Sequence, residues 1–154
     1  MAASERIQAP FGGVVIEAEG RVVRAVSLQR TTAKDDARSG LAADLRRYFA
    51  GERVEFDDYD VDWSPYTTFE RSVLEATRRI PYGETRTYGQ IAKAIGKPDS
   101  ARAVGQALGK NHTCIVVPCH RVVAANGGLG GFTGGIHWKI NLLELEGSRR
   151  EGKG

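Results

Sequence analysis

The chain has 154 residues, of which 41% are hydrophobic and 27% charged, and its net charge is +3. This length fits one domain or two small ones, and the composition excludes general disorder. No apolar run is long enough for a membrane helix, the first residues do not form a secretory signal, and two cysteines are too few for a disulfide framework, so we expect a cytoplasmic protein.

The first sixty residues predict a mixture of strands and helix. Apolar residues alternate with polar ones over 14–18, which is typical of a half-buried strand. The turn signal Glu19-Gly20 leads into a second apolar segment over 22–28, so a β-hairpin is expected.

A helix should follow the hairpin. Leu41, Leu45, Tyr48 and Phe49 form the stripe of an amphipathic helix that ends near Gly51. Residues 54–61 mix β-forming residues with acidic ones and predict one more strand.

Charge changes sign near Trp63-Ser64-Pro65. Residues 1–62 hold 9 Lys/Arg and 12 Asp/Glu, a balance of −3, whereas residues 63–154 hold 13 and 7, a balance of +6. This division predicts two domains, 1–62 and 63–154, of which the second faces a polyanion. Charges scattered at random over a solvated surface are the alternative explanation.

The second part is predominantly helical. One amphipathic helix is expected over 69–80, and a short helix follows from Thr87, whose spacing to Gln90 is that of a capping box. A third helix over 101–108 comes after a tight turn, so the pair resembles a helix-turn-helix. Small residues dominate the third helix, which permits close approach of a large, flat partner, although ordinary helical packing produces the same pattern.

An apolar run, Ile115-Val116-Val117, predicts a short buried strand that leads to Pro118 and then to Cys119 and His120. A glycine-rich segment over 127–135 allows another molecule to approach the main chain. A last helix is expected from about residue 136 to Glu146.

Cys119 beside His120 is the pattern of an activated nucleophile, because a cysteine attacks as its thiolate and a neighbouring base makes that form accessible. Adjacent side chains on a strand point to opposite faces, so cooperation requires a turn, which Pro118 favours, or a bridging water. Glu146 is a candidate for orienting the imidazole. The alternative is a buried, inert thiol, and the Cys and His spacings do not match a common zinc site.

The chain resembles the O6-alkylguanine-DNA alkyltransferases, also called methylated-DNA–protein-cysteine methyltransferases. The resemblance covers about residues 67–147 and rests on motifs that stand in the family's order: Pro118-Cys119-His120-Arg121-Val122-Val123, Ile80-Pro81-Tyr82-Gly83-Glu84-Thr85, Thr87-Tyr88, Ala101-Arg102-Ala103-Val104-Gly105, Asn111, Gly134-Gly135 and Leu142-Leu143-Glu144-Leu145-Glu146-Gly147. Two departures are His112, where the family usually has proline, and Phe132, where some relatives have tyrosine.

The resemblance implies that Cys119 accepts the alkyl group irreversibly, in a single turnover, from O6 of guanine and also from O4 of thymine. His120 would take the thiol proton through a water, and Glu146 would hold His120. Asn111 would brace the turn that presents Cys119, and Tyr88 would assist departure of the guanine.

The resemblance also implies that the protein is a monomer without cofactor or metal, and that it binds damaged duplex DNA through the minor groove and flips the base outward. It further implies a ribonuclease H-like first domain and a winged-helix-like second domain. The DNA contacts would come from Thr87, Tyr88, Ala101, Arg102, Ala103 and Gly105. The substrate pocket would be formed by Val122, Gly131, Phe132, Thr133 and Gly134.

Two other functions compete with this one. Alkyltransferase-like proteins recognise damage without repairing it, but they lack the cysteine, so Cys119 argues against that function. A plain helix-turn-helix regulator would need neither Cys119 nor its partners, and it would normally read the major groove.

Overall fold

A four-stranded sheet forms the front of the molecule. The structure, a computed structural model, describes residues 4–32, 34–132 and 134–148. Strands β1 (Ser4–Ala9), β2 (Gly12–Glu19) and β3 (Val22–Leu28) pair antiparallel in that order, and β4 (Asp60–Val61) joins β3 in parallel. The predicted hairpin is therefore confirmed as β2–β3.

Two features of the sheet differ from the prediction. Strand β1 was not expected, because only Ile7 and Ala9 carry its buried face, too few positions for a period to stand out. The expected strand over 54–61 is wrong except for its last two residues. Phe56 and Tyr59 are buried there, but a turn closed by the Tyr59 N–H and the Phe56 carbonyl (3.2 Å) interrupts extended backbone.

Helix α1 (Gly40–Phe49) packs on the sheet, as its stripe predicted. The Ser39 side chain accepts from the Ala42 N–H and caps the helix. Leu41, Leu45, Tyr48 and Phe49 are all buried.

The rest of the chain is mainly helical, which confirms a mixed α/β protein. It contains α2 (Thr68–Arg78), α3 (Tyr88–Ala94), α4 (Ala101–Leu108) and α5 (Ile136–Leu145). Thr67 and Thr87 both complete capping boxes, with Glu70 and Gln90 respectively. Short parallel strands β5 (Arg86–Thr87) and β6 (Val122–Val123) connect the start of α3 with the segment after Cys119. None of the described helices is long and apolar enough to cross a membrane.

The run Ile115-Val116-Val117 is buried, but the prediction of a strand there is wrong. The backbone turns, and Ile115 adopts a positive φ of 74°. A run that is apolar on every side has no periodicity that would distinguish a strand from a buried turn. The preceding residues extend the front sheet instead: the Val26 N–H bonds to the His112 carbonyl (2.9 Å), and the Cys114 N–H bonds to the Val26 carbonyl (3.3 Å).

Candidate active site

Cys119 begins a short 3-10 helix, Cys119–Arg121, rather than lying on a straight strand. The Arg121 N–H closes the turn on the Pro118 carbonyl at 2.9 Å. Because a 3-10 helix has about three residues per turn, neighbouring side chains are not forced to opposite faces. The turn that cooperation between Cys119 and His120 requires is therefore present.

Asn111 connects the loop before Cys119 to the thiol itself. Its amide nitrogen donates to the Val117 carbonyl (3.1 Å) and to the Cys119 sulfur (3.2 Å). Its amide oxygen accepts from both the N–H and the hydroxyl of Thr113, at 2.9 and 3.0 Å. One buried side chain thus fixes both ends of the turn and also donates a hydrogen bond to the sulfur.

The Cys119 thiol is buried, yet its surroundings favour the thiolate. A hydrogen bond from the Cys114 thiol is the largest influence and lowers the pKa of Cys119. Burial raises that pKa, whereas the Asn111 amide and the positive charge of Lys139 lower it, and the net shift is downward. As the donor, Cys114 has a pKa well above its usual range.

His120, which directly follows Cys119 in the chain, forms a buried pair with Glu146. The imidazole Nε2–H donates to Glu146 Oε2 at 2.7 Å, and neither side chain is exposed. Burial lowers the pKa of His120 and outweighs the opposing pull of Glu146. Among the described residues, none bonds to Nδ1 of this ring. His120 is therefore a neutral imidazole with one nitrogen free to take a proton.

Within the described part of the chain, the Glu146 carboxylate accepts hydrogen bonds from four residues. Besides His120, Arg121 donates from Nε to Oε1 (2.8 Å) and from Nη2 to Oε2 (3.0 Å). The Gly83 N–H reaches Oε1 at 3.2 Å, and the Tyr48 hydroxyl reaches Oε2 at 2.5 Å. Burial raises the pKa of Glu146, but His120 and Arg121 outweigh it and hold that pKa well below its ordinary value.

Cys119 contributes to the wall of a cavity of about 390 Å³. This volume is within the usual range for a small-molecule pocket. The lining residues described are Tyr88, Gly105, Leu108, Gly109, Cys119, Gly131 and Phe132. The Phe132 ring also meets His120 edge to face, with 6.5 Å between centroids. The cavity therefore brings together the thiol and four residues that the resemblance assigned to DNA or substrate: Tyr88, Gly105, Gly131 and Phe132.

The other predicted pocket residues are placed differently. Val122 is buried in β6, and Gly134 lies against Phe132 and Leu28; neither is on the described lining. Thr133 lies outside the described residues.

Tyr88 forms one side of the cavity and touches the glycine-rich segment. Burial raises the pKa of its phenol, and a hydrogen bond with the Gly131 backbone opposes that shift. A Cβ on Gly130 would lie 2.2 Å from the Tyr88 hydroxyl oxygen, so only glycine fits there.

Helix α4 presents small residues near the cavity and a cation at its outer face. Ala101, Ala103 and Gly105 are half-buried, whereas Arg102 is exposed and bonds to none of the described residues. Thr87 caps the neighbouring helix α3 and is half-buried. Of these residues, Gly105 is on the described lining of the cavity, whereas Thr87, Ala101, Arg102 and Ala103 are not.

Lys139 is a buried cation that the sequence did not single out. Its Nζ donates to the carbonyls of Val122 (2.6 Å) and Gly131 (3.0 Å). Burial lowers the pKa of Lys139 to about 8. The side chain therefore ties the glycine-rich segment to the strand after Cys119. Within the described part of the chain, no group of His, Cys, Asp and Glu residues is arranged to hold a metal ion.

A thiol with a lowered pKa in the wall of a pocket, followed in sequence by a histidine that bonds to a carboxylate, is the arrangement expected of a cysteine nucleophile. Comparison with known proteins then identifies its kind. Residues 68–148 match the family model described as 6-O-methylguanine DNA methyltransferase, DNA binding domain.

Relatives with curated names extend the match over nearly the whole chain. The methylated-DNA–protein-cysteine methyltransferase of Mycobacterium tuberculosis is 44% identical over 152 residues, which cover 93% of this chain and 91% of the relative. The protein of the same name from Methanosarcina acetivorans is 54% identical over 105 residues, 68% of this chain and 65% of its own.

Solved structures also match this chain over nearly its whole length. The Mycobacterium tuberculosis O6-methylguanine methyltransferase has a TM-score of 0.82 at 43% identity, covering 99% of this chain and 97% of that one. A crystal structure of the Mycobacterium tuberculosis protein in complex with DNA has a TM-score of 0.81 at 44% identity, with 94% and 93% covered. The chain belongs to the methylated-DNA–protein-cysteine methyltransferase family.

Sequence reasoning missed Tyr48, Gly83, Arg121 and Lys139 as parts of the site. Arg121 and Gly83 stand inside motifs that were recognised, so their positions were a usable signal. Tyr48 gave no such signal, because it contributes to an apolar stripe like any core residue. Lys139 resembled an ordinary surface lysine.

Proposed function

We propose that this protein repairs alkylated DNA by direct reversal, taking the alkyl group from O6 of guanine, and from O4 of thymine, onto Cys119. The observation that carries the proposal is the buried Cys119 thiol in the wall of a 390 Å³ cavity, hydrogen-bonded to Asn111. Family membership and the DNA complex of the Mycobacterium tuberculosis relative support it.

The proposed reaction is a displacement at carbon. The Cys119 thiol gives its proton to His120 Nδ1 by way of a water, and Glu146 stabilises the imidazolium that forms. The sulfur then bonds to the alkyl carbon while the bond from that carbon to O6 breaks, leaving its electron pair on the guanine. A proton returns to the base, so the products are guanine and a thioether at Cys119. Because the thioether is stable, each molecule reacts once.

Tyr88 is proposed to assist departure of the guanine. Its phenol lies at the cavity wall, and burial raises its pKa, so it stays protonated and able to donate. Gly131 and Phe132 would close over the flipped base, with Val122 behind them and Thr133 and Gly134 in the same segment.

Helix α4 is proposed to enter the minor groove. This groove is only about 6 Å wide, so the small residues Ala101, Ala103 and Gly105 permit the close approach. Arg102 would occupy the place of the flipped base, and Thr87 would contact the backbone at the start of α3. Such contacts do not depend on sequence, which suits a protein that must act at any alkylated base.

We further propose that the chain acts as a monomer with two domains, 1–62 and 63–154. The sheet with α1 is compatible with a ribonuclease H-like domain, and α2 to α4 with the β5–β6 pair are compatible with a winged-helix-like one. The change of charge near residue 63 supports the same boundary.

Intact mass measurement tests the proposed function. After incubation with duplex DNA that contains O6-methylguanine, we expect the protein to gain one methyl group in place of one hydrogen. Peptide mapping should place the group on Cys119, and Cys119→Ser should stay unmodified. Methylation that moves to Cys114 would contradict the assignment. Tight binding to the damaged duplex with unchanged mass would favour a protein that only recognises damage.

A further inference from the structure

The Tyr48 hydroxyl reaches into the active site from the front of the molecule. Tyr48 belongs to α1 and is fully buried, and its hydroxyl donates to Glu146 Oε2 across 98 positions of sequence. Neither the family model, which begins at residue 68, nor the motifs around Cys119 include this residue.

The oxygen that Tyr48 contacts is the one that His120 uses. Oε2 of Glu146 accepts from the Tyr48 hydroxyl at 2.5 Å and from His120 Nε2 at 2.7 Å. Arg121 adds a third donor to the same oxygen at 3.0 Å. Any movement of this oxygen therefore changes the position of the imidazole.

Glu146 needs anchors from outside its own helix. It is the residue that ends α5, and Gly147 follows it with a φ of 80°. The backbone beyond the carboxylate is thus no longer helical. Among the described residues, the carboxylate is held by the side chains of His120, Arg121 and Tyr48 and by the Gly83 N–H, and of these four residues Tyr48 comes from α1.

Tyr48 is suited to fix a position because its ring cannot follow a moving partner. The ring meets Phe49, Phe56 and Tyr82 edge to face, with centroids 5.5, 5.9 and 6.1 Å away. Burial raises the pKa of the Tyr48 phenol well above its ordinary value, so the hydroxyl remains a donor. A rigid donor of this kind preorganises the group that it contacts.

We propose that Tyr48 is a positioning residue for alkyl transfer, which holds the Glu146 carboxylate and, through it, the His120 ring in the orientation that leaves Nδ1 without a partner among the described residues and able to accept a proton. This inference rests on the proposed function.

The hydroxyl also changes how strongly Glu146 attracts a proton on His120. Among the described residues, the charged and titratable groups around the carboxylate are His120, Arg121, Tyr48 and Tyr82, and those acting on the imidazole are Glu146, Arg121 and Lys139. A hydrogen bond from Tyr48 withdraws electron density from Oε2. Its removal strengthens the attraction between Glu146 and an imidazolium, so His120 becomes protonated at a higher pH.

Tyr48→Phe removes the hydroxyl and keeps the ring. With saturating methylated duplex in a single turnover, we expect the first-order rate constant of transfer to fall about tenfold. Duplex affinity should not change. The acid limb of the pH–rate profile should move upward by about half a pH unit. If Tyr48→Phe has the same rate constant and the same acid limb as the protein without the substitution, the proposal is overturned.

Tyr59→Phe is the matched control. Tyr59 is a buried tyrosine of the same region whose hydroxyl donates to a carboxylate, Asp44, at 2.6 Å. Removal of the Tyr59 hydroxyl should leave the rate constant of transfer unchanged. An equal decrease of the rate constant in Tyr48→Phe and Tyr59→Phe would show that the effect is structural. If the protein without any substitution fails to transfer the methyl group, the proposed function is wrong, and the proposed role of Tyr48 is then wrong as well.

A double-mutant comparison tests whether Tyr48 acts through Glu146. In a protein that already carries Glu146→Gln, adding Tyr48→Phe should lower the remaining rate constant of transfer by less than about twofold. A full additional loss would contradict the proposed route.

Fluorotyrosine at position 48 covers the case in which Tyr48→Phe does not fold. This residue keeps the ring and the hydroxyl but donates more strongly, so the acid limb should move to lower pH. An unmoved limb would also overturn the proposal.

Discussion

Exposed cations in the front part and those on and beside α3 and α4 differ in whether they form ion pairs. In the front part, four arginines pair with neighbouring carboxylates: Arg24 with Glu19, Arg46 with Asp35, Arg47 with Asp44 and Arg53 with Glu55. On and beside α3 and α4, by contrast, Lys93, Lys97, Arg102 and Lys110 are exposed and form no ion pair with any residue that the structure describes. The difference is confined to α3 and α4, since Arg71 and Arg86 elsewhere in the helical part also pair, with Glu75 and Glu84. The cations on and beside α3 and α4 are available for phosphate groups.

In the interior, by contrast, the helical part contains paired charges. The helical part encloses Arg121, His120 and Glu146 in one cluster with almost no exposure. Exposed pairs contribute little to stability, whereas a buried charge that loses its partner is costly. Position therefore decides which ion pairs matter: the front pairs are replaceable, and the buried cluster is not.

The largest expected effect separates these two kinds of ion pair. Glu146→Ala leaves Arg121 buried without its partner, so the free energy of unfolding should fall by about 3 to 5 kcal/mol. Alkyl transfer should slow at least about a hundredfold. Arg24→Ala, which breaks an exposed pair, should cost less than about 1 kcal/mol and leave transfer intact. Chemical denaturation and intact mass measure both, and similar losses in the two variants would break the comparison.

The next effect concerns the free cation on α4. Arg102→Ala should slow repair of duplex DNA about tenfold, because nothing then fills the place of the extruded base. Transfer from free O6-benzylguanine should change little, since that substrate needs no extrusion. Arg53→Ala, a paired front cation, serves as the control. Equal loss on duplex and free base would rule out the extrusion role.

Lys93 and Lys97 should show the electrostatic part of DNA binding. Replacing both by glutamine should weaken duplex binding about fivefold and reduce the slope of log affinity against log salt by about 1.8, which corresponds to two lost phosphate contacts. Replacing Arg24 and Arg53 in the same way should leave the slope unchanged. Titration of labelled duplex at several salt concentrations gives the result, and an unchanged slope for the lysine variant would remove these residues from the interface.

The smallest effect is that of pH near neutrality. Burial lowers the pKa of His120 below its ordinary 6.5, so the ring stays neutral and able to accept a proton at pH 7 and above. Transfer should vary less than about twofold between pH 7 and pH 8. It should fall only as the pH drops below 6.5 and through the lowered pKa. A midpoint above pH 6.5 would show that Glu146 outweighs burial and would reverse the assigned direction.

Much of the fold followed from local signals. Thr87 caps its helix together with Gln90, three residues further on, and this predicted signal needs no knowledge of the rest of the chain. Cys119 and His120 are adjacent in sequence, so the prediction that they act together also came from a local pattern. The turn at Ile115 was not predicted, because burial on every side removes the periodicity on which such predictions depend.

The missing parts of the site depend on contacts between distant segments. Tyr48 contributes to an apolar stripe, and the stripe says that the ring is buried but not what the hydroxyl touches. Lys139 precedes the helix end by several residues, and only the folded structure shows two carbonyls around its amine. A pattern within one element cannot specify an acceptor that another element supplies.

The bridges between the sheet and the loop before Cys119 also bear on how the chain folds. Val26 forms hydrogen bonds with the backbone at His112 and Cys114, and Tyr48 forms one with Glu146. These hydrogen bonds close very long loops, because their partners are far apart in sequence. Loop closure of this kind slows folding and concentrates it in one late step. We therefore expect a single cooperative unfolding transition, with the nucleophile's surroundings assembled last. A protease cut near residue 63 should then abolish alkyl transfer even where both fragments remain in solution.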